Sequence, residues 1–151
     1  MTITHPEQPP FVQPALHHLA LTVTDLEASV AWYTQVFSIS YRMEAPHAGG
    51  VGVLLSDDAW ELIIVLHRHE TNEEESFVET RTGLDHAGFS VPGRADLELW
   101  RSRLMMLGVE VSDEADRPLT QSPIADTPYG SVLVFRDPDN IQLELYSRPE
   151  T

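Results

Sequence analysis

The chain has 151 residues, a formal net charge of −15 and a sequence pI near 4.6. That charge repels phosphate backbones and anionic headgroups, which argues against nucleic acid or a membrane surface as a partner. The absence of cysteine excludes disulfides, thiolate metal sites and cysteine nucleophiles, and 42% hydrophobic residues suffice for one packed domain.

Residues 1–15 are proline-rich and lack the basic and apolar regions of a signal peptide, so they read as a loose or strapping arm. No apolar run approaches the roughly 20 residues that span a bilayer, and the cytoplasm is the default location. His18 to Val23 alternates, with Leu19, Leu21 and Val23 on one face and His18, Ala20 and Thr22 on the other. A helix follows, with Thr24 as N-cap and Glu27 at the capping-box position. It carries Leu26, Val30, Tyr33, Val36 and Phe37 at helical spacing and fades near Ser38. Ile39 to Met43 reads as a strand, and Glu44 to Gly50 as a loop containing Pro46 and His47. Val51 to Leu55 is a strand, Ser56 to Asp58 a turn, and Trp60 to Leu66 a β-branched strand. On that last strand Glu61, Ile63, Val65 and His67 share a face. From Arg68 to Leu84 the polar, acidic composition reads as a solvated linker.

The pattern then begins again. Asp85 to Val91 repeats His17 to Val23, with His86 five residues before Val91 as His18 is before Val23, and with Gly88 and Ser90 as its small face-mates. A turn at Pro92-Gly93 precedes a helix carrying Leu97, Trp100, Leu104 and Leu107, with Gly108 as its stop. Val109 to Val111 is a short strand and Arg117 to Pro128 a long polar loop. Ser131 to Phe135 and Ile141 to Tyr146 are the last two strands, joined by a turn at Asp137-Pro138-Asp139-Asn140. Each half therefore reads strand, helix, three strands, which makes an internal structural repeat.

In each half a histidine opens the first strand beside small residues, and a glutamate sits on the last strand: His18 and Glu61, then His86 and Glu144. Singly, each is as readily a hydrogen-bonded strand histidine or an exposed carboxylate. If the halves pair about a pseudo-two-fold axis, the four converge, and two imidazoles with one or two carboxylates suit a divalent first-row metal. His17 competes with His18, since a one-residue register slip exchanges them.

These segments resemble the vicinal oxygen chelate superfamily, which includes glyoxalase I, extradiol dioxygenases, fosfomycin-resistance enzymes and bleomycin-binding proteins. The resemblance runs through His18 to Leu26 with Trp32-Tyr33, His86 to Val91, Phe135 to Asp139 and Leu143-Glu144-Leu145. It implies an α+β fold, one domain over residues 16–151 built from two βαβββ modules (about 16–67 and 84–146) that form a cupped mixed sheet. It also implies one divalent metal (Zn, Ni, Co, Mn or Fe) on His18, His86 and Glu144, with Glu61 as the fourth ligand of glyoxalase I-like members. Asn140 and Ser38 stand where the family usually has glycine.

His67 and His69 fall on the Glu61 face, at the far end of their strand and just beyond it. With Tyr129 in the Pro128-Tyr129-Gly130 loop, they are candidate substrate contacts. The leading reading is a metal-dependent lyase or isomerase in which Glu144 or Glu61 moves a proton on a small substrate chelated through vicinal oxygens. If Glu61 does not bind, the remaining triad suits an Fe(II) dioxygenase or a Mn(II) resistance transferase. The non-enzyme alternative is a metal-free drug-binding pocket. The resemblance and the N-terminal arm together imply a homodimer.

Overall fold

The computed structural model describes residues 9–150. The first eight residues of the expected arm lie outside them; residues 9–18 run without helix or strand and are exposed.

The first module contains β1 (Leu19–Thr22), α1 (Leu26–Phe37), β2 (Ser40–His47), β3 (Gly50–Ser56) and β4 (Ile63–His69). The second contains β5 (Ala87–Ser90), α2 (Arg94–Met106), β6 (Glu110–Val111), β7 (Thr120–Gln121), β8 (Ala125–Thr127), β9 (Gly130–Arg136) and β10 (Gln142–Ser147). The sheets have matching order, β1-β4-β3-β2 and β5-β10-β9-β7-β6, with β8 also paired to β9. In each, the first strand lies parallel to the last, and the remaining main pairings are antiparallel. The mixed α+β repeat is thus present, but β1 and β5 are edge strands of two separate hydrogen-bonded sheets.

Alternation decides what each sheet face does. Leu21 and Val23, Ile64 and Leu66, and Leu143 and Leu145 are buried in one core shared by both modules. Aromatic side chains join the modules: Phe37 of α1 lies 4.9 Å from Phe89 and 6.3 Å from Phe135, ring centre to ring centre. The helix-bearing faces therefore turn inward. Ala20, Thr22, Gly88 and Ser90, on the opposite faces, are exposed.

Several local expectations change. The N-cap of α1 is Asp25, whose carboxylate accepts from the Ala28 amide at 3.0 Å. Thr24 instead donates through its amide and hydroxyl to Asp139 at 3.0 and 2.5 Å, tying the β9–β10 turn to the first module. The Tyr33 hydroxyl reaches the same turn, donating to buried Asp137 at 2.8 Å. Asn140, at φ 69°, and Ser38, at φ 53°, take the left-handed conformations that their places require. The expected polar loop 117–128 carries β7 and β8. Together they occupy the place of β2, broken where Pro123 has no amide to give the ladder.

The linker is not merely solvated. The Phe77 amide donates to the Asp139 carbonyl at 2.9 Å. Arg136, almost fully buried, makes a two-pronged ion pair with Glu79 at 3.0 and 3.1 Å and donates to the carbonyls of Ala115 and Asn140. Among the described residues, no helix is long and apolar enough to cross a membrane.

Candidate metal centre

His86 stands just before β5, and Glu144 lies on β10 opposite Gly88. His86 Nδ1 is 2.7 Å from Asp85 Oδ1, and His86 Nε2 is 3.8 Å from Glu144 Oε2. The Asp85 carboxylate can only accept, so Nδ1 carries the proton and donates. That leaves the Nε2 lone pair facing Glu144, the arrangement in which an outer carboxylate orients a metal-binding imidazole.

His18 stands just before β1 and is exposed, with Nδ1 2.9 Å from His17 Nδ1. One ring must donate and the other accept, and both Nε2 atoms lie outside that bond. His17, His18, Glu61 and His86 form the polar wall of a cavity of about 350 Å³, whose apolar wall includes Leu19, Leu62, Ile63 and Phe89. No arginine lines it, and the chain has no lysine.

Glu61 is not on β4. The Glu61 and Leu62 amides both donate to Asp57 Oδ1 at 2.9 Å, which closes a bend and withholds those donors from the ladder. β4 therefore begins at Ile63. The register identifies the residue that matches Glu144. Gly88 faces Glu144 across β5–β10, and Ala20, its counterpart two residues beyond His18, faces Val65 across β1–β4. An apolar residue holds the place expected for Glu61, whose exposed carboxylate sits instead at the cavity wall.

The structure thus brings His86 to Glu144, and His18, Glu61 and His86 to one cavity. It does not gather three of these four into a tight group. Among the described residues, the one set of three potential ligand atoms lying within 4.8 Å of one another is His47, His67 and His69. β4 runs past the expected end at Leu66 to include His67 and His69, but neither lines the cavity. Burial, then the charges of the adjoining His47 and His69 and of the more distant His18, push the His67 pKa down. His47 was legible only as a loop residue, because Pro46 and the following glycines disguise the end of β2. The signal was its alternation with Ala45 opposite Gly50 and Gly52. Tyr129 is exposed on the β8–β9 turn, outside the cavity, and its carbonyl accepts from the Tyr146 hydroxyl at 2.6 Å.

The profile of the Glyoxalase/Bleomycin resistance protein/Dioxygenase superfamily matches residues 15–145. A crystal structure of a glyoxylase/bleomycin resistance protein/dioxygenase domain from Frankia sp. EAN1pec is 32% identical, with a TM-score of 0.78 over 92% of this chain and 95% of that one. A glyoxalase family protein from Enterococcus faecalis is 18% identical, with a TM-score of 0.68 over 87% and 96%. The fosfomycin resistance protein FosX from Listeria monocytogenes, complexed with Mn(II) and sulfate, is 18% identical, with a TM-score of 0.59 over 91% and 95%. No curated protein matches the chain.

Proposed function

We propose that this chain, which belongs to the glyoxalase/bleomycin resistance protein/dioxygenase superfamily, is a metal-dependent enzyme acting on a small, neutral substrate held through vicinal oxygens. The observation that carries this reading is the Asp85–His86–Glu144 alignment, an oriented imidazole aimed at a carboxylate. The donor set fits a divalent first-row ion: His86 Nε2 and Glu144 supply two ligands, and His18 is the third. A bound ion would supply Lewis acidity toward a substrate carbonyl or enediolate.

The chain's own residues supply the rest. Asp85 fixes the His86 tautomer, and His17 restrains His18. Leu19, Leu62 and Phe89 exclude water beside the reacting group. Glu61, at the cavity wall, takes the role of proton acceptor rather than ligand. This favours a lyase or isomerase. Val65 in the place matching Glu144 leaves a two-histidine, one-carboxylate set, which is the specific observation for an Fe(II) dioxygenase as the second reading. The cavity does not suit a FosX-type reaction on a phosphonate. A mutant of the Listeria protein has been crystallised with Mn(II) and 1S,2S-dihydroxypropylphosphonic acid, whereas a phosphonate would meet no arginine in this cavity.

We further propose that a homodimer completes the centre. The ligand-bearing faces turn outward in the single chain, and Phe11, Val12 and Leu16 of the arm are exposed and apolar, suited to strap a second copy. Sedimentation at twice the 17.0 kDa chain mass is expected, and a single monomeric species contradicts it.

Elemental analysis of untagged protein, with methylglyoxal–glutathione and catechol–oxygen assays, tests the function. Zinc, nickel, cobalt or manganese without oxygen uptake supports the lyase or isomerase. Iron with catechol-dependent oxygen uptake supports the dioxygenase. Protein that takes up none of these metals at neutral pH overturns both and leaves the sequestering pocket.

A further inference from the structure

We propose that His47, His67 and His69 form a second divalent-metal site, distinct from the His86–Glu144 centre, taking an imidazole-preferring ion such as Zn(II), Ni(II) or Cu(II) with one position open to water. The site is built across three strands. In one row His47 of β2 faces Gly50 of β3, which faces His69 of β4; in the next, Ala45 faces Gly52, which faces His67. Strands two apart are separated by about 10 Å, too far for direct side-chain contact unless the middle strand is bare. Glycine makes it bare. A Cβ on Gly52 would lie 2.8 Å from His67 Cε1 and 3.0 Å from its Nδ1, and one on Gly50 would lie 2.8 Å from His47 Cε1. The imidazoles lean into the space those glycines leave, with ring centres 5.1 Å apart for His47–His67 and for His47–His69.

The nitrogen geometry suits a metal. His47 Nδ1 lies 3.1 Å from the Ala48 carbonyl, which accepts, so this nitrogen carries the proton and Nε2 turns its lone pair toward His67. His47 Nε2 is 3.2 Å from His67 Nδ1. Ligands at about 2.0–2.1 Å around a tetrahedral ion stand about 3.3–3.4 Å apart. Two of the three are therefore already at ligand spacing, and the ligand atoms of all three fall within 4.8 Å of one another. Three imidazoles with no carboxylate also separate this set chemically from His86–Glu144. The two sites share no residue. Thr22 faces His67, which puts the second site four residues along β1 from His18, about 13 Å by strand rise.

The test removes the other centre first. Protein carrying His86→Gln and Glu144→Gln is titrated with Co(II) and followed by visible absorption, then back-titrated with Zn(II). One equivalent is expected. His47→Gln and His69→Gln, each added separately, should weaken binding at least tenfold. Gly52→Ala, which keeps every ligand but crowds His67, should weaken it as well. No uptake by the starting variant overturns the site, as does uptake that neither histidine substitution changes. A loss with one histidine substitution but not the other overturns the three-imidazole assignment. Because the His86–Glu144 pair is absent throughout, these results are independent of whether that centre binds metal.

Discussion

His86 Nε2 points at Glu144 Oε2 across 3.8 Å, with the other nitrogen of the ring held at 2.7 Å by Asp85. This separation exceeds a hydrogen bond, so the pair is aligned but unjoined, with room for an ion between ligands that two different strands position. Asp85 precedes His86 in the chain and needs no long-range packing to reach it.

Asp85→Asn tests that orienting contact. An amide can present either an acceptor or a donor to Nδ1, so the tautomer is no longer fixed. Metal affinity is expected to fall roughly 10–100-fold, the usual cost of losing an outer-shell partner. Calorimetric titration measures it, and unchanged far-ultraviolet circular dichroism separates this effect from unfolding.

Glu61→Gln separates proton transfer from metal binding. Val65, not Glu61, occupies the β4 position matching Glu144. Metal content is therefore expected to stay unchanged while turnover falls about 10²–10⁴-fold, the range for a lost general base. Loss of metal would instead restore Glu61 as a ligand.

Asp137 gives stability a pH signature. Burial outweighs the bonds it accepts from Tyr33, Asp139 and Ile141 and raises its pKa from 3.8 to about 7. The folded chain then binds more protons than the unfolded chain between these values. This contribution is full below about pH 4 and is lost as pH rises through 7, with a slope of at most about 1.4 kcal/mol per pH unit. In denaturant titrations Asp137→Asn should remove that slope, because an amide can keep the two backbone bonds and donate to Tyr33.

Arg136→Ala should destabilise the fold by about 2–3 kcal/mol. It strips bonds from the Ala115 and Asn140 carbonyls and from Glu79, which is itself part-exposed and can rehydrate. The bond from Arg136 is also the main reason the Glu79 pKa is lowered to about 2. That stabilisation is present above pH 4.5 and lost as pH falls toward 2, opposite in sign to the Asp137 contribution. Urea midpoints at neutral and acidic pH check both statements.

The parts legible in the sequence are those with a local cause. Two-residue alternation located β1, β5 and β10, and the Asp137–Asn140 turn was readable from its own side chains. What was hidden depends on contacts far along the chain. Thr24 and Asp25 are both competent caps, and only the Asp139 carboxylate, reached by folding, decides that Thr24 bonds elsewhere. Glu61 sits in a strand-like run of residues, but Asp57 captures the amides that would have begun the strand. The linker is anchored by Arg136, 57 residues from Glu79. His86 and Glu144 emerged from the repeat because pseudo-symmetry is a pattern in sequence. His47 did not, because its meaning lies in the glycines opposite it on β3.

The central claim is that His86 and Glu144 hold a divalent metal, and it is tested most directly by titrating Co(II) into His47→Gln protein with and without Glu144→Gln. His47→Gln removes the second imidazole cluster, so the remaining uptake reports the first centre. One equivalent per chain is expected in the His47→Gln protein. Also expected is an affinity that Glu144→Gln lowers by more than the roughly 10–100-fold cost of an outer-shell loss, with the fold intact. No uptake by the His47→Gln protein, or uptake that Glu144→Gln leaves unchanged, would contradict it.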